Sequence, residues 1–485
     1  MSLPLQPARF AALPPTFYST VRPEGLTEPH LIAWNADLAR SFGLAEHAPD
    51  EETLAYLAGN AAEYAPPALA TVYSGHQFGV YVPRLGDGRA LLLGEAQDSD
   101  GLLWEWQLKG AGKTPYSRFA DGRAVLRSSV REYLASEAMH ALGIPTTRAL
   151  ALIGGRDIVY RESVETAAVL TRLAPSFIRF GHFEYFFYTG RRDEVRRLAD
   201  FVIGCHYPDC RSAENPYLAL LENVAQRTAE TVAAWQAVGF CHGVMNTDNL
   251  SILGLTIDYG PYGFMEAFDR RHICNHSDHN GRYAYYAQPY IAHWNLAALG
   301  NCFEDLVGEA ELNVWIEQWP QVFQTAYSQQ MRRKLGLETE QEEDAALMEN
   351  LWQSLHGIDF TLFFRHLSDL SSESGASLPP RLAALLHEEK HAAVFGWLED
   401  YRCRLQAERS SDDVRRTAMQ RCNPLYVLRN HLAQQAIEAA QGGDFSVLAR
   451  LQRCLAAPFD EQAEFADFAE PAPEGAPKVC VSCSS

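Results

Sequence analysis

Nowhere in its 485 residues does the chain hold about 18 consecutive apolar residues, the length a helix needs to cross a bilayer. The opening stretch MSLPLQPARFAALPPTFYSTVRPEG lacks the basic cap and the apolar core of about 7–15 residues that make a signal peptide. A cytoplasmic location without a membrane partner is the expectation. Positive charge is also in short supply: 41 Lys and Arg face 61 Asp and Glu, a formal charge of −20. Phosphate backbones need clustered cations, so no nucleic-acid partner is expected at a pI near 5.2. The ten cysteines lack a disulfide-framework spacing. Only Cys480 and Cys483 form a close pair, C-x-x-C, with Cys483 third from the end. No internal repeat is visible, and a hydrophobic share of 47% excludes a chain that is disordered as a whole. A P-loop is missing too. The segment GAGKTPYS contains GKT, but the pattern needs glycine at position 107, where Gln107 stands, and Pro115 falls where a helix should begin.

What is present divides by pattern. At about 150 residues per domain the length allows roughly three domains. Residues 1–70 read as an N-terminal extension, Pro-rich and then partly helical. Residues 71–175 mix strand and helix. GRALLLGEAQ and LWEWQLKG read as paired strands across the turn QDSDG. RSSVREYLASEAMHALGI reads as an amphipathic helix capped by Ser128 or Ser129 and ending near Gly143 and Pro145. ALALIGG and DIVYRE read as a second hairpin-like pair around Gly154 and Gly155, followed by the strand AAVLTRL. Residues 176–300 begin with strong helices and carry the polar stretch HGVMNTDNLSILGLTIDYGPYGF. Residues 301–468 are almost wholly helical, with a Ser-rich break near 368–377, and residues 469–485 form a Pro/Gly/Ser-rich tail.

The chemistry-bearing residues begin with Gly86 and Gly88 in RLGDGRALLLGE. Glycines let backbone amides approach phosphate closely, although D-G is also an ordinary hairpin turn. Lys109 ends an apolar strand, and Glu132 lies 23 residues on, in the following helix. A strand lysine paired with a helix glutamate is how kinases orient the lysine onto phosphates; Glu137 competes for that role. Asp121 and Gly122 offer a second tight turn. Arg172 and Arg179, seven apart, and Arg127, Arg131 and Arg148 supply guanidinium forks that match phosphate oxygens, or surface ion pairs.

The most informative stretch is His242 to Asn249, followed by Asp258-Tyr259-Gly260. Kinase-type sites hold Mg²⁺ with an Asn of the catalytic loop and an Asp of a D-x-G turn, and Asn249 and Asp258 fit those places. The usual catalytic aspartate stands five residues before the Asn, and here that position is Val244. Valine accepts no proton, so Asp248 is the nearest carboxylate to act instead. The cluster His272, Cys274, His276, Asp278 and His279 does not have the spacing of a structural zinc site and falls where an activation segment would lie. Strands, one helix, strands and then a helical body around a polar loop is the layout of a two-lobed, protein-kinase-like α+β fold.

At this point the chain resembles the selenoprotein O family. The resemblance rests on LKGAGKTPYSRFADGRAVLRSSVREYLASEAM, HGVMNTDNLSILGLTIDYGPYGF, GRYAYYAQPYIAHWNL and NPLYVLRNHLAQQAI, and it covers essentially the whole chain. It implies a pseudokinase-fold protein adenylyltransferase that binds ATP inverted relative to kinases. Such an enzyme moves AMP to Ser, Thr or Tyr hydroxyls of proteins with Mg²⁺ or Mn²⁺. Uridylyl transfer from UTP with Mn²⁺ is implied for bacterial members. Carried over, Gly86, Gly88, Arg89, Lys109, Asp121, Gly122, Arg172, Arg179 and Asp258 are nucleotide-binding. Asp248 is the proton acceptor, and Asn249 and Asp258 are metal ligands. Where eukaryotic members carry selenocysteine, this chain has Cys483.

Two other classes compete: a non-catalytic ATP-binding scaffold or redox sensor, and a small-molecule phosphotransferase. Val244 argues against the second, and the intact Lys109, Asn249 and Asp258 against the first. The tail pair Cys480 and Cys483 invites thiol exchange. A bridge from the tail, with Cys483 favoured, to Cys274 in the activation-type segment is the redox expectation.

Overall fold

The computed structural model describes residues 3–387, 391–473, 475, 479 and 481–482. Between 18 and 174 the chain lays down ten strands: β1 (Tyr18–Thr20), β2 (His30–Trp34), β3 (Leu69–Thr71), β4 (Gly75–Gln77), β5 (Val80–Val82), β6 (Ala90–Gln97), β7 (Leu103–Lys109), β8 (Ala124–Val125), β9 (Arg148–Tyr160) and β10 (Val164–Ala174). Eight of them form one antiparallel sheet in the spatial order β1-β3-β6-β7-β10-β9-β2, with β8 beside β10. The other two, β4 and β5, make a separate small hairpin outside this sheet.

The β6–β7 hairpin forms where the apolar pattern places it. Its turn is held by Asp98, whose carboxylate accepts from the amides of Asp100 and Leu102 and from the Trp104 indole. The expected hairpin at Gly154 and Gly155 does not exist. β9 runs through both glycines as one strand, paired with β10 on one side and β2 on the other. A side chain at 154 would begin 2.7 Å from Ile32 and 2.8 Å from His30, so the glycine admits β2 rather than turning the chain.

The helix after β8, Leu126–Ala141, also departs from expectation at its start. Neither Ser128 nor Ser129 caps it: Val125 of β8 occupies the cap position, and Ser128 donates to the Val125 carbonyl from inside the first turn. Strand pairing fixes the entry, so no side-chain cap is required. The helix is not amphipathic either, since 11 of its 16 residues are buried. It lies between β9 and β10 and the helices Asn430–Gln441 and Ser446–Leu455.

Beyond the sheet come α1 (Phe180–Tyr188), α2 (Arg192–His206) and α3 (Pro216–Val238). The last is capped by Asn215, carries Pro216 at its first position and stops at Gly239. A loop then holds a short strand pair, β11 (Phe240–Cys241) with β12 (Gly263–Phe264), around a 3-10 turn at Thr247–Asn249. Helices Gln288–Asn301 and Glu309–Lys334 follow, and further helices continue to residue 469, with the Ser-rich break between Leu367 and Pro380. One core joins Leu134, Phe183, Leu220, Phe240, Leu296 and Leu432; a second under the sheet holds Trp106, Leu108 and Val169; a third, around Phe363, Trp397 and Tyr401, serves the C-terminal helices. Each such side chain contributes about 1.5–3 kcal/mol by burial. Among the described residues no helix is long and apolar enough to cross a membrane.

Candidate active site

A cavity of about 600 Å³ is lined by Gly86, Gly88, Arg89, Lys109, Asp121, Gly122, Glu132, Arg172, Arg179, Asp248, Asn249 and Asp258. These residues come from β7, the helix Leu126–Ala141, β10, the turns beside these strands and the loop after α3. A second cavity, about 630 Å³, lies among aromatic residues such as Tyr290, Trp319 and Trp352 and contains none of them.

Antiparallel register builds the charged floor. Arg172 of β10 stands opposite Gln107 of β7, two residues from Lys109, so strand alternation sets all three side chains on one face. Lys109 Nζ lies 2.5 Å from Glu132 Oε2. Glu137 is taken elsewhere, accepting from Arg148 at 2.8 Å and from the Ala149 amide. Arg172 donates to Asp258 at 2.6 Å, to Glu132 at 3.0 Å and to Gln107 at 2.7 Å. Arg179 donates to the other oxygen of Asp258 and, at 2.7 Å, to the Asp248 carbonyl. Its guanidinium sits 5.1 Å from the centre of the Tyr73 ring. Lys109 is 3.6 Å from Asp258.

Three cations thus share two carboxylates, leaving positive charge in surplus where Arg172 and Arg179 are each 2% exposed. Burial pushes the Asp258 carboxyl up, but Arg179, Arg172 and Lys109 outweigh it and hold the group well below the usual range. Asp258 has φ +57°, the left-handed region that side chains rarely adopt.

The loop supplies a different carboxylate. Burial pushes Asp248 up to about 7, against the opposing hydrogen bond from Gln77 and the charge of Arg179. Gln77 donates to its Oδ2 at 3.1 Å, and among the described residues the buried Oδ1 has no hydrogen-bond partner. Val244 lines the cavity near it and offers no acceptor in its side chain. Asn249 spends its amide nitrogen on the Val244 carbonyl at 3.0 Å, leaving its side-chain oxygen as a hard donor. Among the described residues there is no group of three or more His, Cys, Asp and Glu able to cage a metal. Asn249 and Asp258 could offer side-chain oxygens to a divalent ion that keeps its waters and takes substrate phosphates, Asp258 sharing its oxygens with Arg172, Arg179 and Lys109.

Asp121 faces a residue that the sequence did not single out. Arg161 grips it with two hydrogen bonds of 2.7 and 2.8 Å, which hold its carboxyl down at about 2. Gln77, Phe78, Tyr73 and Arg118 also line the cavity and were not among the sequence candidates. The signal was available in YSGHQFG, where two glycines bracket polar residues just before the Gly86 turn. Arg127, Arg131 and Arg148 lie outside the cavity, paired with Glu165, the Tyr262 carbonyl and Glu137. In the 272–279 cluster, Asp278 accepts from the amides of Arg282 and Tyr283 and so closes a turn. Cys274 Sγ lies 3.5 Å from the Cys241 carbonyl. Its neighbour Asn275 forms a parallel bridge with Val481, and the His276 amide donates to the Val481 carbonyl at 2.8 Å. Cys480 and Cys483 lie outside the described residues.

Comparison with known proteins places this chain in a family. The family model described as protein adenylyltransferase SelO matches residues 2–456. A protein nucleotidyltransferase YdiU of Burkholderia vietnamiensis is 51% identical over 500 residues, covering 98% of this chain and 95% of the relative. The one of Pseudomonas paraeruginosa is 49% identical, with 98% of each chain covered. That of Vibrio vulnificus is likewise 49% identical at the same coverage. The chain belongs to the SelO family of nucleotidyltransferases.

Proposed function

We propose that this protein transfers AMP from ATP to Ser, Thr or Tyr hydroxyls of protein substrates and releases pyrophosphate. The observation that carries the reading is the convergence of Lys109, Arg172 and Arg179 on Asp258, beside a loop whose usual catalytic position is Val244 and whose carboxylate is Asp248. The names of the relatives and of the family supply the reaction class.

In this reading ATP lies inverted relative to kinases. Its β and γ phosphates, the most negative part, bind at the buried surplus of positive charge on Lys109, Arg172 and Arg179. The α-phosphorus then faces the acceptor. Gly86, Gly88, Arg89, Asp121 and Gly122 form the opposite wall, with Arg161 holding Asp121 in place. The acceptor hydroxyl oxygen attacks the α-phosphorus while the bond from that phosphorus to the α,β-bridging oxygen breaks. The hydroxyl proton passes to Asp248, and the electron pair leaves on pyrophosphate, whose charge the arginines stabilise. Asn249 and Asp258 would hold Mg²⁺ or Mn²⁺, which when bound neutralises charge on the leaving group. Glu132 keeps Lys109 and Arg172 aligned.

A two-lobed kinase-like architecture is part of the proposal. Residues 71–175 serve as the strand-rich lobe and 176–300 as the lobe with the catalytic loop, flanked by the N-terminal extension, the helical region 301–468 and the tail. The strand lysine, the helix glutamate and the loop order Val244, Asn249, Asp258 support it. We also read Cys274 with a tail cysteine as a redox pair that lowers activity when bridged. Intact-mass spectrometry of candidate acceptors after incubation with ATP and Mg²⁺ tests the function. A gain of about 329 Da marks AMP, about 80 Da would replace the reading with phosphoryl transfer, and no gain on any acceptor or on the chain itself favours a non-catalytic scaffold. UTP with Mn²⁺ in the same assay reads the uridylyl alternative.

A further inference from the structure

The β4–β5 hairpin contributes no residue to the roles above, yet it is stitched to three consecutive residues of the catalytic loop. The Phe78 amide donates to Asn246 Oδ1 at 3.2 Å, the His76 amide to Thr247 Oγ1 at 2.7 Å and the Gln77 side chain to Asp248 Oδ2 at 3.1 Å. Two of these loop side chains are fixed again from elsewhere. Tyr283 donates to Asn246 Oδ1 at 2.6 Å, and Thr247 donates to Glu184 at 2.5 Å. Among the described residues Asp248 has no second side-chain anchor: Gln77 provides the side-chain hydrogen bond to its carboxylate, and Oδ1, buried against Gly75, has no hydrogen-bond partner. A carboxylate oxygen has about two acceptor sites, so this arrangement fixes the group through Oδ2, packs Oδ1 against Gly75 and leaves Oδ2 a second lone pair.

The backbone of the hairpin completes the cradle. A Cβ at Gly75 would fall 2.5 Å from Asp248 Oδ1 and 2.8 Å from Asp248 Cβ, so the carboxylate occupies space that any side chain at 75 would fill. The hairpin cannot back away to make room, because Ser74 donates its amide to the Gly181 carbonyl at 3.1 Å, and the Ser74 carbonyl lies 2.1 Å from where a Cβ of Gly181 would be.

We propose that Gln77 is a positioning residue for nucleotidyl transfer, holding the Asp248 carboxylate in the rotamer that meets the acceptor hydroxyl, with Gly75 leaving the space for it. The proposal rests on Asp248 being the proton acceptor. Gln77 acts through Asp248 and contributes nothing to the grip on the β and γ phosphates, which lies with Lys109, Arg172 and Arg179.

The experiment is a double-mutant cycle on the full chain, with α-³²P-labelled ATP as donor and casein as a generic hydroxyl-bearing acceptor. Gln77→Met keeps the length and removes the donor. We expect kcat to fall roughly 10- to 100-fold, the worth of a hydrogen bond to a charged group, with the ATP dissociation constant unchanged within about twofold. Gly75→Ala should give the same pattern, because the three atoms nearest its added methyl all belong to the Asp248 side chain. In an Asp248→Asn background Gln77→Met should then cost less than about twofold, since its effect has nothing left to act on. Losses that multiply, or ATP affinity falling in step with kcat, overturn the proposal. So does wild-type kcat in Gln77→Met when Asp248→Asn is crippled. Wild-type kcat in Asp248→Asn itself refutes instead the assignment of Asp248 as proton acceptor. If Gln77→Met does not fold, Gly75→Ala decides between these outcomes.

Discussion

Replacing Glu105 with glutamine should stabilise the protein increasingly as pH rises from about 4.5 to about 8 and leave it unchanged below that window. Glu105 stands on β7, the strand that ends in Lys109, and accepts from the Phe177 amide at 2.8 Å in the segment leading to Arg179. Directly across the sheet is Glu95, which Arg9 pairs at 3.1 Å. Burial raises the Glu105 carboxyl to about 8; the Phe177 hydrogen bond and Arg9 oppose the rise, and Glu95 and Asp87 add to it. In the unfolded chain the same group titrates near 4.5. Between these values the folded state holds a proton that the unfolded state has lost. Stability therefore falls as pH rises from about 4.5 to about 8 and is level above. The ceiling on the loss is about 5 kcal/mol, at roughly 1.36 kcal/mol per pH unit. In the Glu105→Gln variant the amide keeps the size and the acceptor for Phe177 and cannot ionise. Denaturant unfolding of both proteins at pH 5, 6.5 and 8 gives the difference directly, since the other titrating groups cancel. The variant should gain progressively on the wild type, by a few kcal/mol at pH 8. A difference independent of pH would refute the buried neutral carboxyl.

Three further outcomes concern the site. Asp258→Ala should abolish transfer and also lower the melting temperature, because Arg172, Arg179 and Lys109 lose their shared anion, a deletion that costs about 3–5 kcal/mol in a buried pair; transfer at the wild-type rate with Mg²⁺ would remove it from the metal site. Arg172→Ala and Arg179→Ala should each weaken ATP far more than AMP in calorimetry, and equal losses would count against the inverted nucleotide. Cys483→Ser should remove the part of the activity that responds to reductant, with peptide mapping of the oxidised wild type showing a link to Cys274; identical responses in mutant and wild type would mean that the tail is not the switch.

Much of the cavity's lining is legible because its signals are local in sequence. Lys109 ends an apolar strand, Glu132 follows on the next helix, and Asn249 and Asp258 share one polar loop, so type and spacing sufficed. The choice of Glu132 over Glu137 was not legible. Both lie on the same helix, and the decision is made by Arg148 and the Ala149 amide, which occupy Glu137 from β9. Tertiary neighbours also decide the two misread elements. Gly154 and Gly155 look like a turn until β2 is seen to need the space, and Ser128 looks like a cap until β8 is seen to feed the helix directly. Arg161 carries no local signal, since it acts on Asp121 from 40 residues away, whereas YSGHQFG marks Gln77 locally but not its partner Asp248, 171 residues on.

The two aspartates of the loop show how one charged floor can serve two tasks. Asp248 is buried and Asp258 partly so, and desolvation alone would raise both. They diverge because the cations are not shared evenly. Arg172 and Lys109 reach Asp258, and Arg179 gives Asp258 its side-chain pairing while giving Asp248 only a bond to the backbone carbonyl. Asp258 is thereby held ionised, as its proposed role at a hard cation requires, while Asp248 rises to about 7, near the value at which a group takes up and returns protons in neutral solution. Val244 then needs no replacement at its own position. In the proposed pose a base at 248, beside the buried arginines and braced by the 75–82 hairpin, would serve an α-phosphorus turned toward the acceptor, whereas a carboxylate at 244 would serve the γ-phosphorus of a nucleotide bound the other way.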